Sequence, residues 1–157
     1  FYAETKENKN IAGTVLISPL SDRLNPTIEI NWYERILLKL LVAIGRGNVL
    51  INGKSYFPGT PNRFLSILTP HSSEDVFDYD DKAPSLIRFS SIQKPMLVLL
   101  GGADQYVDRP VSTIKKDFDS HQNSTSYKSI IIKGANHGFD GKEKETVVAI
   151  CDWAEMI

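Results

Sequence analysis

An acid and a histidine each follow an apolar run of the chain, in positions where their side chains could do chemistry together. Asp104 lies in GGADQYVD, residues 101–108, and His137 lies in GANHGF, residues 134–139. A carboxylate that accepts the Nδ1 proton of a histidine fixes the tautomer of the ring and leaves Nε2 free to take a proton from a nucleophile. Acid before histidine is also the chain order of hydrolases of the Ser, Asp, His type. Asp104 and His137 are therefore the candidate catalytic pair.

Three apolar runs predict the strands that would position this pair. They are IAGTVLIS (11–18), PMLVLL (95–100) and YKSIIIK (127–133), and each is followed by proline or glycine. Near-continuous apolar runs of this length are typical of parallel strands buried on both faces. Because right-handed crossovers bring the carboxyl ends of such strands to one edge of a sheet, we expect Asp104 and His137 to lie close together.

Two helical patterns complete an α/β fold. RPVSTIKKDFDSH (109–121) spaces its apolar residues as a helix would and predicts a crossover between the second and third strands. KEKETVVAICDWAEMI (142–157) predicts a closing helix. The residues expected on one side of that helix are Val147, Ile150, Ala154 and Ile157. Strand, helix, strand, helix is the plan of an α/β domain with a parallel sheet.

The stretch from residue 23 to residue 93 interrupts this alternation. It contains a predicted helix over Trp32–Ile44 and several proline turns before the next core strand. Insertions of this length over the carboxyl ends of strands commonly form a lid or a pocket wall. The sequence thus divides into residues 1–22, the end of a helix and a core strand; residues 23–93, a cap insertion; and residues 94–157, the carboxyl-terminal core.

The composition excludes several classes of function. The chain has 157 residues, of which 41% are hydrophobic and 24% charged, and its formal net charge is -1. This balance gives no field that would attract nucleic acid or an anionic membrane, and the longest apolar run, ILLKLLVAI (36–44), is too short to cross a bilayer. The one cysteine, Cys151, allows no internal disulfide or multi-cysteine metal site and fits a cytoplasmic protein. Within the closing helix its thiol is expected to be buried.

The quoted motifs resemble a known superfamily. KPMLVLLGGADQYVD followed by IIIKGANHGF is similar to the last third of an α/β-hydrolase. GTVLISPLSDR, TPNRFLSIL and EDVFDYDDKAPSLIRFSSIQKP further resemble the group of fungal and protist hydrolases that includes the esterases of the siderophore fusarinine C. The resemblance implies that Asp104 is the triad acid, that His137 is the triad base, and that a cap follows SPLSDR. It also implies a small-molecule ester as substrate, with no cofactor or metal.

The nucleophile of this superfamily is not visible in the chain. It lies on a G-x-S-x-G turn between a strand and a helix, and no such pentapeptide occurs among the 157 residues. Gly53-Lys54-Ser55 is the nearest approach, but Phe57 replaces the second glycine and the prolines that follow cannot begin a helix at once. We therefore expect the serine turn upstream of Phe1. The alternative is a non-catalytic, hydrolase-like protein that binds a small molecule.

Other polar residues have simpler interpretations. Asp108 competes with Asp104 as the acid, but its neighbour Arg109 favours an ion pair or a helix cap. His71 and His121 are interpreted as surface histidines. Five acids, Glu74, Asp75, Asp78, Asp80 and Asp81, lack the pattern of a calcium loop and are expected to be a solvated surface. A dinucleotide site is disfavoured because GGADQ lacks the G-x-G-x-x-G spacing.

Overall fold

A three-stranded parallel sheet organises the chain. The computed structural model describes residues 10–24, 30–52, 58–72, 74–79 and 85–157. Within them the strands are β1 (Thr14–Ile17), β2 (Met96–Gly101) and β3 (Tyr127–Ile132), in the order β1-β2-β3. Thr14 lies opposite Met96, which lies opposite Tyr127. The three predicted strands are confirmed, and their carboxyl ends meet along one edge of the sheet.

Burial differs between the central strand and the outer strands. All six residues of β2 are buried, whereas most residues of β1 and β3 are half-buried, and Ile17 of β1 is 51% exposed. The expectation of strands buried on both faces therefore holds for β2 alone. The physical reason is that, among the residues that the structure describes, each outer strand has a neighbouring strand on one side only.

The helices lie where the sequence predicts a crossover, an insertion and a closing helix. Among the described residues, three helices fall between β1 and β2, namely α1 (Trp32–Ala43), α2 (Pro61–Ile67) and the short α3 (Ile87–Ser90). A 3-10 turn, Asp22–Leu24, precedes them, while α4 (Val111–His121) connects β2 to β3 and α5 (Glu143–Ala154) follows β3. None of the helices in the described ranges is long and apolar enough to cross a membrane.

Two apolar clusters hold β2 in place, one on each of its faces. Successive side chains of a strand point to opposite faces. Met96, Val98 and Leu100 accordingly pack with Ile114 and Phe118 of α4. Leu97 and Leu99 instead pack with Ala149 and Trp153 of α5. Because the end of β2 is fixed from both faces, the loop that carries Asp104 starts from a rigid point.

The buried face of α5 differs in part from the predicted one. Thr146, Ala149 and Trp153 are buried and Ile150, which was predicted, is half-buried against them, whereas Val147 and Ile157 are 56% and 46% exposed and Ala154 is exposed as well. Apolar residues occur on two sides of this helix, so the helical period permits either face. The Trp153 indole determines which face of the helix is buried, because it packs against Gly13. A Cβ at position 13 would lie 2.8 Å from the ring. With this rotation Cys151 is exposed, and the expectation of a buried thiol is wrong.

Candidate active site

The loop after β2 holds Asp104 in a buried position with both carboxylate oxygens engaged. Its side chain is 2% exposed. Oδ1 accepts a hydrogen bond from the backbone N–H of Tyr106 at 2.9 Å, and Oδ2 lies 2.8 Å from Nδ1 of His137. A buried carboxylate with these partners has a fixed orientation, which is what a residue that orients a histidine requires.

The loop after β3 holds His137 by its backbone as well as by its ring. The His137 N–H donates to Oε1 of Gln105 at 3.2 Å, and the His137 carbonyl accepts a hydrogen bond from the Ser18 hydroxyl at 2.9 Å. The ring meets the ring of Tyr106 edge-on, with centroids 5.0 Å apart. Since Asp104 occupies Nδ1, Nε2 is the ring nitrogen left for a reacting group. The sequence placed Asp104 and His137 at neighbouring strand ends, and the structure brings them together.

Gly101, the last residue of β2, lets the two loops approach each other. A Cβ at this position would lie 2.6 Å from the Asn136 carbonyl oxygen and 2.7 Å from that of Ala135. The loops are also joined directly, because the Ala103 N–H donates to the Ala135 carbonyl at 2.8 Å. The glycine therefore determines how close the Asp104 loop can come to the His137 loop.

Replacing Gly101 by alanine is expected to displace His137 and lower kcat by about 100-fold, the usual cost of misplacing a catalytic group by an ångström. The measurement is steady-state hydrolysis by the full-length protein. Gly138→Ala is the matched control, because a Cβ there would meet the Asp140 carboxylate no closer than 3.4 Å, an ordinary contact. Equal losses in the two variants would contradict the role given to Gly101.

Ser18 belongs to the site although sequence reasoning gave it no role. It follows β1 directly, is 8% exposed, and has a φ of 46°, in the left-handed region that side chains other than glycine rarely adopt. Its N–H donates to the Leu99 carbonyl at 2.9 Å, while its hydroxyl holds the His137 loop. Strain of this kind concentrates at functional sites. The signal available in the sequence is position, since Ser18 ends the first predicted strand, and Asp104 and His137 lie in the loops that follow the other two.

The competing acid, Asp108, pairs with Arg109. Its Oδ2 accepts hydrogen bonds from Nε and Nη2 of Arg109 at 2.9 and 2.8 Å. Arg109 is anchored in turn, because its Nη1 donates to the Tyr79 carbonyl at 2.8 Å. The ion pair that the sequence indicates for Asp108 is confirmed. The structure therefore brings Asp104, and not Asp108, to the imidazole.

A cavity of about 440 Å³ opens beside His137. Its walls come from the end of β1, the 3-10 turn, the end of α2 and the loop 74–77. Apolar side chains such as Leu16, Ile67 and Phe77 face it together with a few polar ones, among them Ser18 and His137. Pockets that bind small molecules commonly combine an apolar lining with few polar groups in this way.

A cluster of buried charges joins the 3-10 turn to the inserted segment. Arg23 Nη2 lies 2.6 Å from Asp78 Oδ1 and 3.3 Å from Asp75 Oδ2, and both acids are buried. The His71 N–H donates to Asp75 at 2.9 Å, the His71 ring Nδ1 lies 2.9 Å from Asp78, and the Ser85 hydroxyl donates to Asp78 at 2.7 Å. The prediction of a solvated acidic surface is therefore wrong for these two acids, because both are buried around a single guanidinium.

The cluster around Arg23 has the features of a structural ion-pair network and not of a metal site. His71, Asp75 and Asp78 offer three ligand atoms within 4.8 Å of one another, but the Arg23 guanidinium already supplies a positive charge there. His71 is exposed, as expected of a surface histidine, yet its ring is paired with an acid, which the sequence did not reveal. Two further acids of this stretch, Asp80 and Asp81, and the rejected Gly53-Lys54-Ser55 turn lie outside the described residues.

Replacing Arg23 by methionine is expected to lower the free energy of unfolding by about 3 kcal/mol, because two buried carboxylates lose their cation. Urea denaturation of the full-length protein measures this loss. Arg35→Met, on the exposed surface of α1, is the matched control and should change stability by less than about 0.5 kcal/mol. A loss in Arg23→Met no larger than in the control would show that the ion pairs of Arg23 do not contribute to the free energy of unfolding.

Comparison with known families identifies the chain. The family described as "Protein of unknown function (DUF1749)" matches residues 1–156. The chain belongs to this family. The description of the DUF1749 family assigns it no activity, and no curated protein matches the chain.

A solved structure shows which fold this DUF1749 chain adopts. It matches the crystal structure of the monoacylglycerol lipase of Paleococcus ferrophilus with a TM-score of 0.56 and 22% sequence identity. The match covers 97% of this chain and 61% of the lipase chain. The fold is accordingly the α/β-hydrolase fold that the sequence predicts. Membership of the fusarinine C esterase subgroup, the division into core and cap, and the catalytic roles of Asp104 and His137 stay predictions.

Proposed function

We propose that this chain is part of a serine hydrolase of the α/β-hydrolase type that cleaves a carboxylic ester of a small or medium organic molecule. The observation that carries the proposal is the 2.8 Å contact between Asp104 Oδ2 and His137 Nδ1, beside a cavity that His137 lines. A buried acid, an oriented imidazole and an open space for substrate are the parts that a nucleophilic serine needs around it.

In the proposed reaction each residue has one task. The serine hydroxyl attacks the ester carbonyl while Nε2 of His137 removes its proton, and the imidazolium then gives that proton to the departing alcohol. A water molecule, deprotonated in the same way by His137, then attacks the acyl-enzyme, and the carboxylic acid product leaves as the serine regains its proton. Asp104 holds the imidazole in the tautomer that leaves Nε2 unprotonated and stabilises the positive charge of the ring in both steps. Backbone N–H groups upstream of Phe1 would bind the oxyanion. No step uses a metal ion or a cofactor.

The proposal places the nucleophilic serine upstream of Phe1. One edge of β1 pairs with β2, and among the described residues no strand pairs with the other edge. Unpaired strand edges that expose apolar side chains, as β1 does at Ile17, are usually covered in native proteins. A parallel strand added there would end on the same side of the sheet as Ser18 and His137, where a serine turn could reach the imidazole.

The solved neighbour supports the choice of an ester. It is named a monoacylglycerol lipase, and monoacylglycerols are esters. Amide and thioester hydrolysis use the same triad, so substrate screening is needed to separate these reactions.

The test is to expose the full-length protein, expressed from its native start, to a fluorophosphonate probe that reacts with activated serines. We expect labelling at one serine upstream of Phe1, located by peptide mapping. Heat-denatured protein is the control for non-specific reaction. A folded protein that does not label would overturn the proposal and favour the non-catalytic, ligand-binding alternative.

A further inference from the structure

The outward surface of α1 carries large apolar side chains that stay exposed. Tyr33, Ile36, Leu37, Leu40 and Ile44 are each between 49% and 67% exposed. They recur at intervals of three and four residues, so they lie on one side of the helix and form a continuous apolar stripe. Exposed apolar patches of this kind mark surfaces that bind a partner or a lipid surface.

Basic side chains lie beside this apolar stripe. Arg35 and Lys39 are four residues apart on the neighbouring side of α1, and Arg46 follows the end of the helix. All three are exposed, and none forms an ion pair within the part of the chain that the structure describes. Glu34 is the one acid of residues 31–52, and it is half-buried with its carboxylate engaged at the start of the helix. The exposed surface of α1 therefore presents positive charge.

We propose that α1 docks the protein on an anionic lipid surface, with the apolar stripe among the headgroups and the basic residues against their negative charges. A helix with apolar and aromatic side chains on one side and Lys or Arg beside them is typical of helices that lie in a membrane interface. Trp32 and Tyr33, whose rings meet edge-on with centroids 5.9 Å apart, supply the amphipathic rings that prefer this depth. The inference goes beyond the proposed hydrolysis, because docking needs no catalytic residue.

The distribution of charge matters here more than its sum. The net charge of -1 led to the expectation of no membrane partner. That expectation treats the charges as evenly spread, whereas attraction to an anionic membrane falls off within a Debye length, about 8 Å at physiological salt. Basic residues that share one exposed surface therefore act on the membrane even though acids elsewhere in the chain balance them.

The same charges favour a lipid surface over a second copy of the chain. Two copies related by a two-fold axis would place the same patch on both sides of the contact. Arg35 and Lys39 would then face basic residues across the interface, where the exposed side of α1 offers no acid to pair with them. A protein that wraps a whole helix does not fit either, because Leu38 is buried and α1 packs against α2. A lipid surface needs only one side of the helix.

The first test is co-sedimentation of the full-length protein with vesicles of phosphatidylcholine, alone or with about 30% phosphatidylserine. We expect binding to the anionic vesicles that is lost in about 1 M NaCl, where the Debye length is about 3 Å. R35Q/K39Q should weaken this binding by about 25-fold, since each basic residue near such a surface contributes about fivefold. K116Q/K144Q, which removes two exposed lysines of α4 and α5, is the matched control and should bind as the unmodified protein does.

A second pair of variants tests the apolar stripe. I36S/L40S should weaken binding to the anionic vesicles by at least about tenfold, because serine removes apolar area that would leave water on docking. V147S/V148S changes two exposed apolar residues of α5 and is the matched control, which should retain binding. Circular dichroism shows whether each variant folds. If I36S/L40S does not fold, the comparison of R35Q/K39Q with K116Q/K144Q decides alone.

Vesicle binding is measured without turnover, so failure of docking and failure of the hydrolase proposal are separate results. A folded protein that does not bind anionic vesicles overturns the docking proposal, and so do equal losses in the variants and their matched controls. Binding that both R35Q/K39Q and I36S/L40S leave intact belongs to another surface and overturns it as well. A dimer that ignores vesicles and becomes monomeric in I36S/L40S, as sedimentation equilibrium would detect, would assign the apolar stripe to a second copy instead.

Discussion

Replacing His137 by alanine will abolish fluorophosphonate labelling of the full-length protein and lower kcat for ester hydrolysis by at least about 10⁴-fold, as removal of a triad base does. Without the imidazole Asp104 does not replace it as the base, because its carboxylate is buried and contacts the Nδ1 side of the ring. A serine hydroxyl that keeps its proton reacts with neither the probe nor an ester. Gel fluorescence after labelling and steady-state kinetics measure the two effects.

His121→Ala is the matched control for this experiment. His121 lies at the end of α4, and its Nδ1 is 2.8 Å from the Asp117 carbonyl of the same helix, so its ring has no part in the cavity. We expect this variant to label and to turn over substrate as the unmodified protein does. A His137→Ala protein that still labels would exclude His137 as the base, whereas failure of both variants would indicate unfolding, which circular dichroism detects.

The contact between Asp104 and His137 could be predicted because it depends on local signals alone. Each residue follows an apolar run that ends in glycine, and parallel strands bring their carboxyl ends to one edge. No long-range contact had to be known. The same reasoning predicted the crossover helix α4, whose single apolar stripe, with Ile114 and Phe118 at its centre, permits only one buried face.

What the sequence did not reveal depends on contacts between distant parts of the chain. Ser18 supports a loop 119 residues away, and Arg23 binds acids 52 and 55 residues away. Neither contact leaves a pattern in the local sequence, so Asp75 and Asp78 resemble any other acids of a surface loop. The buried face of α5 was missed for a related reason, because the space above Gly13 that receives Trp153 belongs to another element.

Ser18, Asp104 and His137 are joined by hydrogen bonds, and each lies after one of the three strands. The residue after β1 supplies a hydroxyl that holds the His137 carbonyl, the loop after β2 supplies the acid that contacts Nδ1, and the loop after β3 supplies the histidine. The Asp104 side chain is 2% exposed and both of its oxygens are engaged, so it holds the ring in one orientation. Loss of the acid should therefore affect the chemistry more than the stability.

Replacing Asp104 by asparagine will lower kcat by about 10⁴-fold with little change in KM or in stability, as expected when a triad acid becomes an amide. Asparagine keeps the size of the side chain, and its Oδ1 can still accept the Tyr106 N–H. Its amide N–H₂ would, however, donate to Nδ1 of His137, so the ring would carry its proton on Nε2. That tautomer cannot accept the serine proton, and the stabilising negative charge is lost as well.

Asp108→Asn is the control that decides between the two candidate acids, because both residues lie in the loop after β2. Asp108 binds Arg109, which the Tyr79 carbonyl also holds, so the loop should keep its conformation without this charge. We expect kcat of Asp108→Asn to fall by less than about threefold, since partly exposed ion pairs contribute little. A large fall in Asp108→Asn with a small one in Asp104→Asn would reverse the assignment. Equal falls would indicate that the rigidity of the whole loop, and not the charge at Nδ1, governs the rate.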